Sequence, residues 1–364
     1  MQRRIKVLFV IPSLRAGGAE RVMSFLAENI NKNQFEARLL VIGSEESKSY
    51  CITSIPVIFL GKDRVRDGIF SIFRYLSDFK PDIVISAIAH LNNFMALLSL
   101  LFPQIKFVGR ETIVRTGVLN YTNRNYKPSI LSRFLQQIQK SYLDAIICQS
   151  NDMKHDLLHN YGYPEDKLFV LNNPVTKNFV LKDRIKRNTK VKKQFITIGR
   201  LVKQKGYLRI LSALAQLEIA FHYTIIGNGD EKELIYDYIK SKNLEDKVTH
   251  INFTDNVQLY LAKSDLYLQG SYVEGFPNAL LESCAVGTPV LAFEALGGIS
   301  EIVQEGINGF TANDESDFLQ KLTIALEKEW DAKQINHSVT SRYSEEIILD
   351  KYEVFFLKLY KNLI

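Results

Sequence analysis

The sequence predicts two doubly wound α/β domains, each built on a parallel sheet. Short apolar runs alternate with amphipathic stretches along the chain, as in parallel strands covered by helices on both faces. This pattern is lost after residue 177 and starts again near residue 193. The length of 364 residues is more than one core usually takes and is sufficient for two.

The strands are predicted from apolar runs bounded by turn-forming residues. In the first domain they cover residues 5–11, 37–42, 83–87, 106–109, 145–148 and 168–171. In the second domain they cover residues 194–198, 222–226, 248–253, 266–268 and 289–292. The amphipathic, aromatic-rich stretch 344–364 is expected to form a helix that packs back on the first domain.

A basic stretch marks the predicted domain boundary. Seven basic residues and one acid lie between Lys182 and Lys193. We therefore expect an N-terminal domain over residues 1–177 and a second domain over residues 178–343. Ligands of such folds bind at the carboxyl ends of the strands, so we expect a site in a cleft between the domains.

The cysteines and the apolar runs favour a cytoplasmic protein. Cys51, Cys148 and Cys284 are isolated, which argues against a disulfide framework or a zinc cluster. Residues 5–12 are too short for a secretory hydrophobic region, and no run approaches the roughly 20 apolar residues of a membrane span.

The positive charge lies in the first half of the chain. The net charge is +8 before residue 178 and −2 after it. Residues 112–143 contain no acid, and in them Arg115, Arg124, Lys127, Arg133 and Lys140 alternate with aromatic side chains. This suits an anionic membrane surface or a phosphorylated acceptor, although a solvated basic face would look similar. Nucleic acid is disfavoured because no recognition motif accompanies the charge.

Three glycine-containing turns follow predicted strands. Gly17 and Gly18 precede a helix near the end of the first strand, but their spacing is not that of a dinucleotide-binding loop, which counts against a dehydrogenase. The turn that begins at Gly199 carries Arg200 and Lys205, whose natural partner is a diphosphate. The turn at Gly227 would let a nucleotide approach. A plain surface turn is the alternative for each.

The most informative segment is residues 271–282. Glu274 and Glu282 bracket a turn that opens an apolar helix, formed by Gly275, Phe276, Pro277 and Asn278. The helix N-terminus can hold a phosphate while the carboxylates bind hydroxyls on either side, which indicates a nucleotide-sugar site. Asn278 is expected to cap the helix. Glu301 follows a further glycine pair.

Taken together, these residues resemble the retaining glycosyltransferases of family four, which have the GT-B fold of two Rossmann-like domains. The resemblance covers nearly the whole chain. It rests on residues 17–21, 172–175, 199–206 and 274–282, which occur in the family's order. The two glutamates separated by seven residues are its most specific element.

The resemblance implies roles for the donor site. Glu274 would contact hydroxyls of the donor sugar, and Glu282 would bind the ribose diol. Arg200 and Lys205 would hold the leaving diphosphate, while Gly17 and Gly18 would let a loop approach the donor. The remaining donor-side candidates are Gly199, Gly227, Gly275, Phe276, Pro277, Asn278 and Glu301.

The resemblance also implies an acceptor side and a reaction. His90 and Asn93 would face the sugar or the acceptor, and Arg110 and Glu111 resemble a family pair on the acceptor side. The expected reaction is retaining transfer, most simply from a UDP-sugar, to a glycan or polyprenyl-diphosphate-linked acceptor in surface polysaccharide synthesis. Members of the family usually work without a metal, so the resemblance implies no cofactor and no metal, and the sequence agrees in having no Asp-x-Asp triplet.

Two other interpretations remain open from the sequence. One is an epimerase or phosphorylase of the same fold class. The other is a catalytically inactive subunit that binds nucleotide sugars in a polysaccharide assembly complex.

Overall fold

The computed structural model describes residues 3–15, 17–49, 51–122, 130–182 and 192–364. Most of the predicted basic linker lies outside the described residues, as do Arg124, Tyr126 and Lys127 of the predicted basic surface. Clustering of the described backbone divides the chain into two compact units. Among the described residues, the first contains 3–112, 130–174 and 346–364, and the second contains 113–122, 175–182 and 192–345.

The strands follow the apolar runs of the sequence. They are β1 (Ile5–Ile11), β2 (Phe35–Val41), β3 (Val57–Phe59), β4 (Ile83–Ala87), β5 (Lys106–Arg110), β6 (Ala145–Cys148), β7 (Leu168–Val170), β8 (Lys193–Ile198), β9 (Phe221–Ile226), β10 (Val248–Ile251), β11 (Leu266–Gln269), β12 (Val290–Phe293) and β13 (Gly309–Ala312). The sequence did not predict β3 and β13. Both lie in the outermost positions of their sheets and are short, so they carry a weak apolar signal.

The helices fill the segments between the strands. They are α1 (Gly18–Asn29), α2 (Ile69–Phe79), α3 (Ala89–Ser99), α4 (Arg115–Thr122), α5 (Ile130–Tyr142), α6 (Asn151–His155), α7 (Tyr207–Leu214), α8 (Lys232–Ser241), α9 (Val257–Lys263), α10 (Asn278–Ala285), α11 (Ile299–Ile302), α12 (Glu315–Glu327), α13 (Ala332–Tyr343) and α14 (Glu345–Tyr360). No helix within the described ranges is long and apolar enough to cross a membrane.

Both sheets are parallel and doubly wound, as predicted. Within the described residues, the first sheet has the order β3-β2-β1-β4-β5-β6-β7 and the second has the order β10-β9-β8-β11-β12-β13. The strand order reverses between β1 and β4 in one sheet and between β8 and β11 in the other. The loops that follow these four strands diverge, so each unit has a crevice where a ligand can bind.

Helix α14 is part of the first unit's core. Phe356 is fully buried, and its ring lies 6.2 Å from the rings of Phe9 and Phe35 in edge-on contacts. Phe9 and Phe35 belong to β1 and β2, so the last helix covers a face of the first sheet. This agrees with the expectation from the sequence that the last helix packs back on the first domain.

The second unit has a separate apolar core. Phe293 of β12 stacks on Phe318 of α12 with the ring centroids 4.5 Å apart. Phe195 and Phe221 pack against each other on β8 and β9, and all four side chains belong to one buried cluster. The apolar residues in the second half of the chain therefore form a separate core.

We expect Phe356→Ala to destabilise the protein by about 3–5 kcal/mol, because it leaves a cavity between α14 and the first sheet. Phe70→Ala is the matched control, since Phe70 is 88% exposed and its truncation removes almost no packing. Urea denaturation followed by circular dichroism measures both. Equal stability of the two variants would contradict the assignment of α14 to the core.

Candidate active site

In the second unit, the residues singled out in the sequence lie on loops at the point where the strand order reverses. Gly199 and Arg200 directly follow β8, and the segment that leads to Glu274 directly follows β11. Because β8 and β11 are paired neighbours, these two loops start side by side. The parallel order of the sheet therefore brings together residues about 75 positions apart in the sequence.

Buried tyrosines hold the end of β8. The hydroxyl of Tyr207 donates to the carbonyl of Gly199 over 2.8 Å, and that of Tyr267 donates to Ile198 over 3.4 Å. Burial raises the pKa of both phenols well above the usual value, and the charge of Glu274 acts in the same direction. The phenols therefore stay protonated and fix the backbone that leads to Arg200.

The turn at Gly227 packs directly on the turn at Gly199. Gly227 has a φ of +149°, and a Cβ at this position would overlap the carbonyl oxygen of Gly199. The amide of Gly227 donates to Ile251 over 2.9 Å, which places the turn at the carboxyl ends of β9 and β10. Glycine is required here because two backbones meet without room for a side chain.

Lys205 and Glu274 form an ion pair between the two loops. Lys205 Nζ lies 2.6 Å from Glu274 Oε1, and Ser271 Oγ donates to the same oxygen over 2.5 Å. The side chain of Glu274 is 8% exposed and that of Lys205 is 23% exposed. Both described partners of the carboxylate bind Oε1, so the pair orients Glu274 by one oxygen. Arg200 is exposed nearby in sequence.

Further hydrogen bonds join the same two loops. The amide of Tyr272 donates to the Gln204 carbonyl, and Gln204 Nε2 donates to the Val273 carbonyl, each over 2.8 Å. The positions of Lys205 and Glu274 are therefore set by backbone contacts as well as by their own ion pair.

Arg209 is a structural member of the site that the sequence analysis did not identify. Its guanidinium donates to the carbonyls of Gly270 and Ser271 and lies 4.3 Å from the ring of Tyr272 and 4.0 Å from that of Phe293. Burial lowers its pKa to about 10, so it remains a cation near neutral pH. A basic residue in an apolar helix gave no sequence signal of this role.

The turn before α10 is buried rather than exposed. Gly275, Phe276 and Pro277 are all inaccessible, and the ring of Phe276 packs edge-on against Tyr343. The expectation that Asn278 caps the helix was wrong. Pro277 occupies the N-cap position without a side-chain cap, and Asn278 is the first helical residue.

Glu282 and Glu301 lie on helices around the same crevice. Glu282 is on α10 and 5% exposed, and its negative charge, like that of Glu274, contributes to the raised pKa of Tyr267. Both carboxylates thus act electrostatically on one buried phenol. Glu301 is half-buried on α11, and its carbonyl accepts hydrogen bonds from Arg342 and Tyr343.

In the first unit, Gly17 and Gly18 begin α1. Gly17 is the N-cap and Gly18 the first helical residue. A Cβ at Gly17 would overlap the carboxylate of Glu20, which folds back over the start of the helix. This is the placement of an acid at the third helical position in a capping box.

His90 and Asn93 lie on one face of α3, just beyond β4. His90 remains accessible to solvent, and burial of the rest of its ring lowers its pKa, so the imidazole is mostly neutral at pH 7. Asn93 accepts a hydrogen bond from Gln139 over 2.6 Å. The residue before this helical turn, Ile88, has a φ of +79°, a strained conformation for a β-branched side chain.

Arg110 and Glu111 do not lie on an accessible surface. Arg110 is fully buried at the end of β5, where it donates to Tyr352 of α14 over 3.2 Å and to Asn173. Glu111 is 3% exposed. The guanidinium thus joins β5 to the last helix, and the acceptor-side role expected for this pair stays a prediction. Asn173 belongs to the Asn-Asn-Pro-Val segment, which thus has a structural contact.

The predicted basic surface is divided between the units. The described residues 113–122 belong to the second unit, whereas the described part of α5 belongs to the first. On α5, Arg133 and Phe134 are exposed. The catalytic and binding roles given to the site residues above stay predictions, as does the absence of a metal requirement.

Two family profiles match the chain in succession. The profile of Glycosyltransferase Family 4 matches residues 16–179, and that of Glycosyl transferases group 1 matches residues 181–341. The chain belongs to the family-four glycosyltransferases. It is 26% identical over 335 residues to a Campylobacter jejuni N-acetylgalactosamine-N,N'-diacetylbacillosaminyl-diphospho-undecaprenol 4-alpha-N-acetylgalactosaminyltransferase, with 88% of this chain and 90% of the relative covered.

Solved structures have the same fold. Sucrose-phosphate synthase from Thermosynechococcus elongatus aligns with a TM-score of 0.81 at 14% identity, over 99% of this chain and all of that one. Anabaena Alr3699/HepE in complex with UDP-glucose aligns with a TM-score of 0.78 at 17% identity, over 98% of this chain and all of that one. These neighbours and the two parallel sheets establish the GT-B fold.

We expect Gly227→Ala to lower the free energy of unfolding by about 2–4 kcal/mol, because the methyl group would force the turns at residues 199 and 227 apart. Gly306→Ala is the control, since Gly306 also has a positive φ but its Cβ would meet open space. That control should cost only about 1–2 kcal/mol. Equal losses in urea denaturation would contradict the close packing of the two turns.

Proposed function

We propose that the protein is a retaining glycosyltransferase that uses a UDP-sugar as its donor and a glycan or lipid-linked oligosaccharide as its acceptor. The observation that carries this proposal is the 2.6 Å contact between Lys205 Nζ and Glu274 Oε1 where β8 and β11 end. A cation and an oriented carboxylate at one point suit the two halves of a nucleotide sugar, the diphosphate and the sugar hydroxyls.

Lys205 and Arg200 would stabilise the leaving diphosphate. Charge accumulates on the diphosphate as its bond to the sugar breaks, and fixed cations lower the energy of that state. The N-terminus of α10 adds a partial positive charge close to Glu274 in sequence. These cations would serve the purpose of a metal ion, so we infer transfer without a metal or cofactor.

Glu274 would bind the donor sugar through the oxygen that Lys205 and Ser271 do not occupy. The bond from the anomeric carbon to the diphosphate oxygen breaks, and a bond to the acceptor hydroxyl oxygen forms on the same face. The acceptor proton moves to the departing phosphate oxygen. The protein positions the reactants and stabilises charge, and no covalent intermediate is required.

Glu282 would bind the ribose hydroxyls, because a buried carboxylate on α10 accepts hydrogen bonds from a diol. In the first unit, neutral His90 can exchange a hydrogen bond with a sugar or acceptor hydroxyl, and Asn93 lies on the same helix face. The choice of UDP is supported by the donor bound in the Anabaena neighbour.

The acceptor side of the proposal rests on charge and on a relative. The Campylobacter relative is named for a diphospho-undecaprenol acceptor, which is a membrane-embedded polyprenyl diphosphate. The first half of this chain carries a net charge of +8, and exposed Arg133 and Phe134 lie together on α5. We infer that the protein acts at the cytoplasmic face of the membrane, in surface polysaccharide synthesis.

Donor choice and stereochemistry are tested together. UDP should raise the melting temperature more than GDP or ADP does, equally with and without EDTA, because a ligand that binds the folded state stabilises it. Proton NMR of the first product should then show the anomeric configuration of the donor. Stabilisation by GDP alone, dependence on a divalent metal or an inverted product would each overturn the corresponding part of the proposal.

Glu274→Gln should lower kcat by about 10²-fold, because the amide cannot accept two charge-assisted hydrogen bonds from the sugar and Lys205. Binding of UDP, measured by calorimetry, should stay within about threefold because the diphosphate contacts remain. Glu218→Gln removes the same charge from an exposed position and is the control. Full turnover in the Glu274 variant would contradict the assigned site.

A further inference from the structure

Helix α4 contains Arg115 of the basic stretch, but no sequence motif predicts a further role for this helix. It follows β5 in the chain and precedes α5, both of the first unit, yet the described residues 113–122 belong to the second unit. Within that unit, its described contacts are made with the loop that carries Glu274 and with the neighbouring Leu296.

Three contacts join α4 and Val114, the residue just before it, to this loop. The amide of Val114 donates to the carbonyl of Glu274 over 3.2 Å. Gly117 packs on Val273, where an added Cβ would lie 2.5 Å from Cγ2 and 3.0 Å from Cβ. The ring of Tyr121 stacks on Tyr272, with centroids 5.9 Å apart and an interplanar angle of 12°.

The loop is therefore held on two sides. Arg209 lies 4.3 Å from the ring of Tyr272 and donates to the carbonyls of Gly270 and Ser271, while Tyr121 stacks on the same tyrosine. The amide of Glu274 donates to Leu296, whose Cβ would also lie 3.8 Å from a Cβ at Gly117. Helix α4 therefore adjoins both of the backbone segments that this hydrogen bond joins.

We propose that α4 is a positioning element for the carboxylate of Glu274, with Gly117 and Tyr121 as its positioning residues. The inference rests on the proposed function, because it takes Glu274 as the contact for the donor sugar. Arg200 and Glu282 lie on other segments, so loss of α4 docking should impair sugar transfer while leaving nucleotide affinity intact. A helix that only stabilised the fold would not separate these two quantities.

Gly117→Ala tests the proposal directly, since the methyl group pushes α4 away from Val273. We expect kcat to fall by about tenfold or more, because small displacements of a positioned group are costly in rate. Calorimetric Kd for UDP should stay within about twofold of the wild-type value. Asn120→Ala changes the exposed face of the same helix and should leave both values unchanged.

A second substitution makes the test specific. Val273→Ala removes the methyl groups against which the new methyl group on α4 would press. The double variant that combines Gly117→Ala with Val273→Ala should therefore regain most of the lost kcat. Such non-additivity identifies direct contact. An unrescued loss, or a loss of UDP affinity equal to the loss of kcat, would overturn the proposal.

Tyr121→Ser provides a test that does not crowd the interface. Tyr121 is half-buried, and its removal should lower kcat several-fold at unchanged UDP affinity. Wild-type kcat in this variant and in Gly117→Ala would refute the role of α4. Glu274→Gln is measured alongside: if it is inactive while the α4 variants are active, this inference fails and the proposed function stands; if it is active, the proposed function itself fails.

Discussion

The ion pair between Lys205 and Glu274 is the interaction on which the second unit's site depends. It joins two loops that start from neighbouring strands, and it lies where the carboxylate is almost inaccessible to solvent. A buried carboxylate without a cation would be strongly disfavoured, so the two loops can adopt this geometry only together. The backbone hydrogen bond from Tyr272 to Gln204 and the one from the Gln204 side chain to Val273 hold the two loops in this geometry.

Contacts with the backbone explain why the site requires glycine at position 227 and tyrosine at position 207. The turns at Gly199 and Gly227 touch through main-chain atoms, and the phenol of Tyr207 donates to the carbonyl of Gly199, just beyond β8. These interactions place the backbone of Arg200 without engaging its guanidinium. The cation therefore keeps its capacity for a ligand, while the strand end that carries it is rigid.

Sequence periodicity predicted most of the fold because buried parallel strands are continuous apolar runs. It missed β3 and β13, whose three or four residues are too few to show such a pattern. Motif spacing identified Glu274 and Lys205 as candidate site residues, but it could not distinguish a buried charge from an exposed one. Arg110 and Arg209 show this limit: the acceptor-side role expected for Arg110 gave no sign of its burial, and Arg209 was overlooked, although tertiary contacts bury both.

Arg209 and Lys205 both stabilise the segment that carries Glu274, but they do not compete for its carboxylate. Its guanidinium is satisfied by two carbonyl oxygens and by the faces of Tyr272 and Phe293, so it stabilises the loop without forming an ion pair with Glu274. Had it paired with the carboxylate, both oxygens would be occupied and a sugar hydroxyl would have to displace an arginine. Among the described residues, Lys205 and Ser271 bind Glu274 through one oxygen, so the second oxygen keeps its capacity to accept a hydrogen bond. The roles of the two cations thus differ because Arg209 binds backbone carbonyls and aromatic rings, whereas Lys205 binds the Glu274 carboxylate.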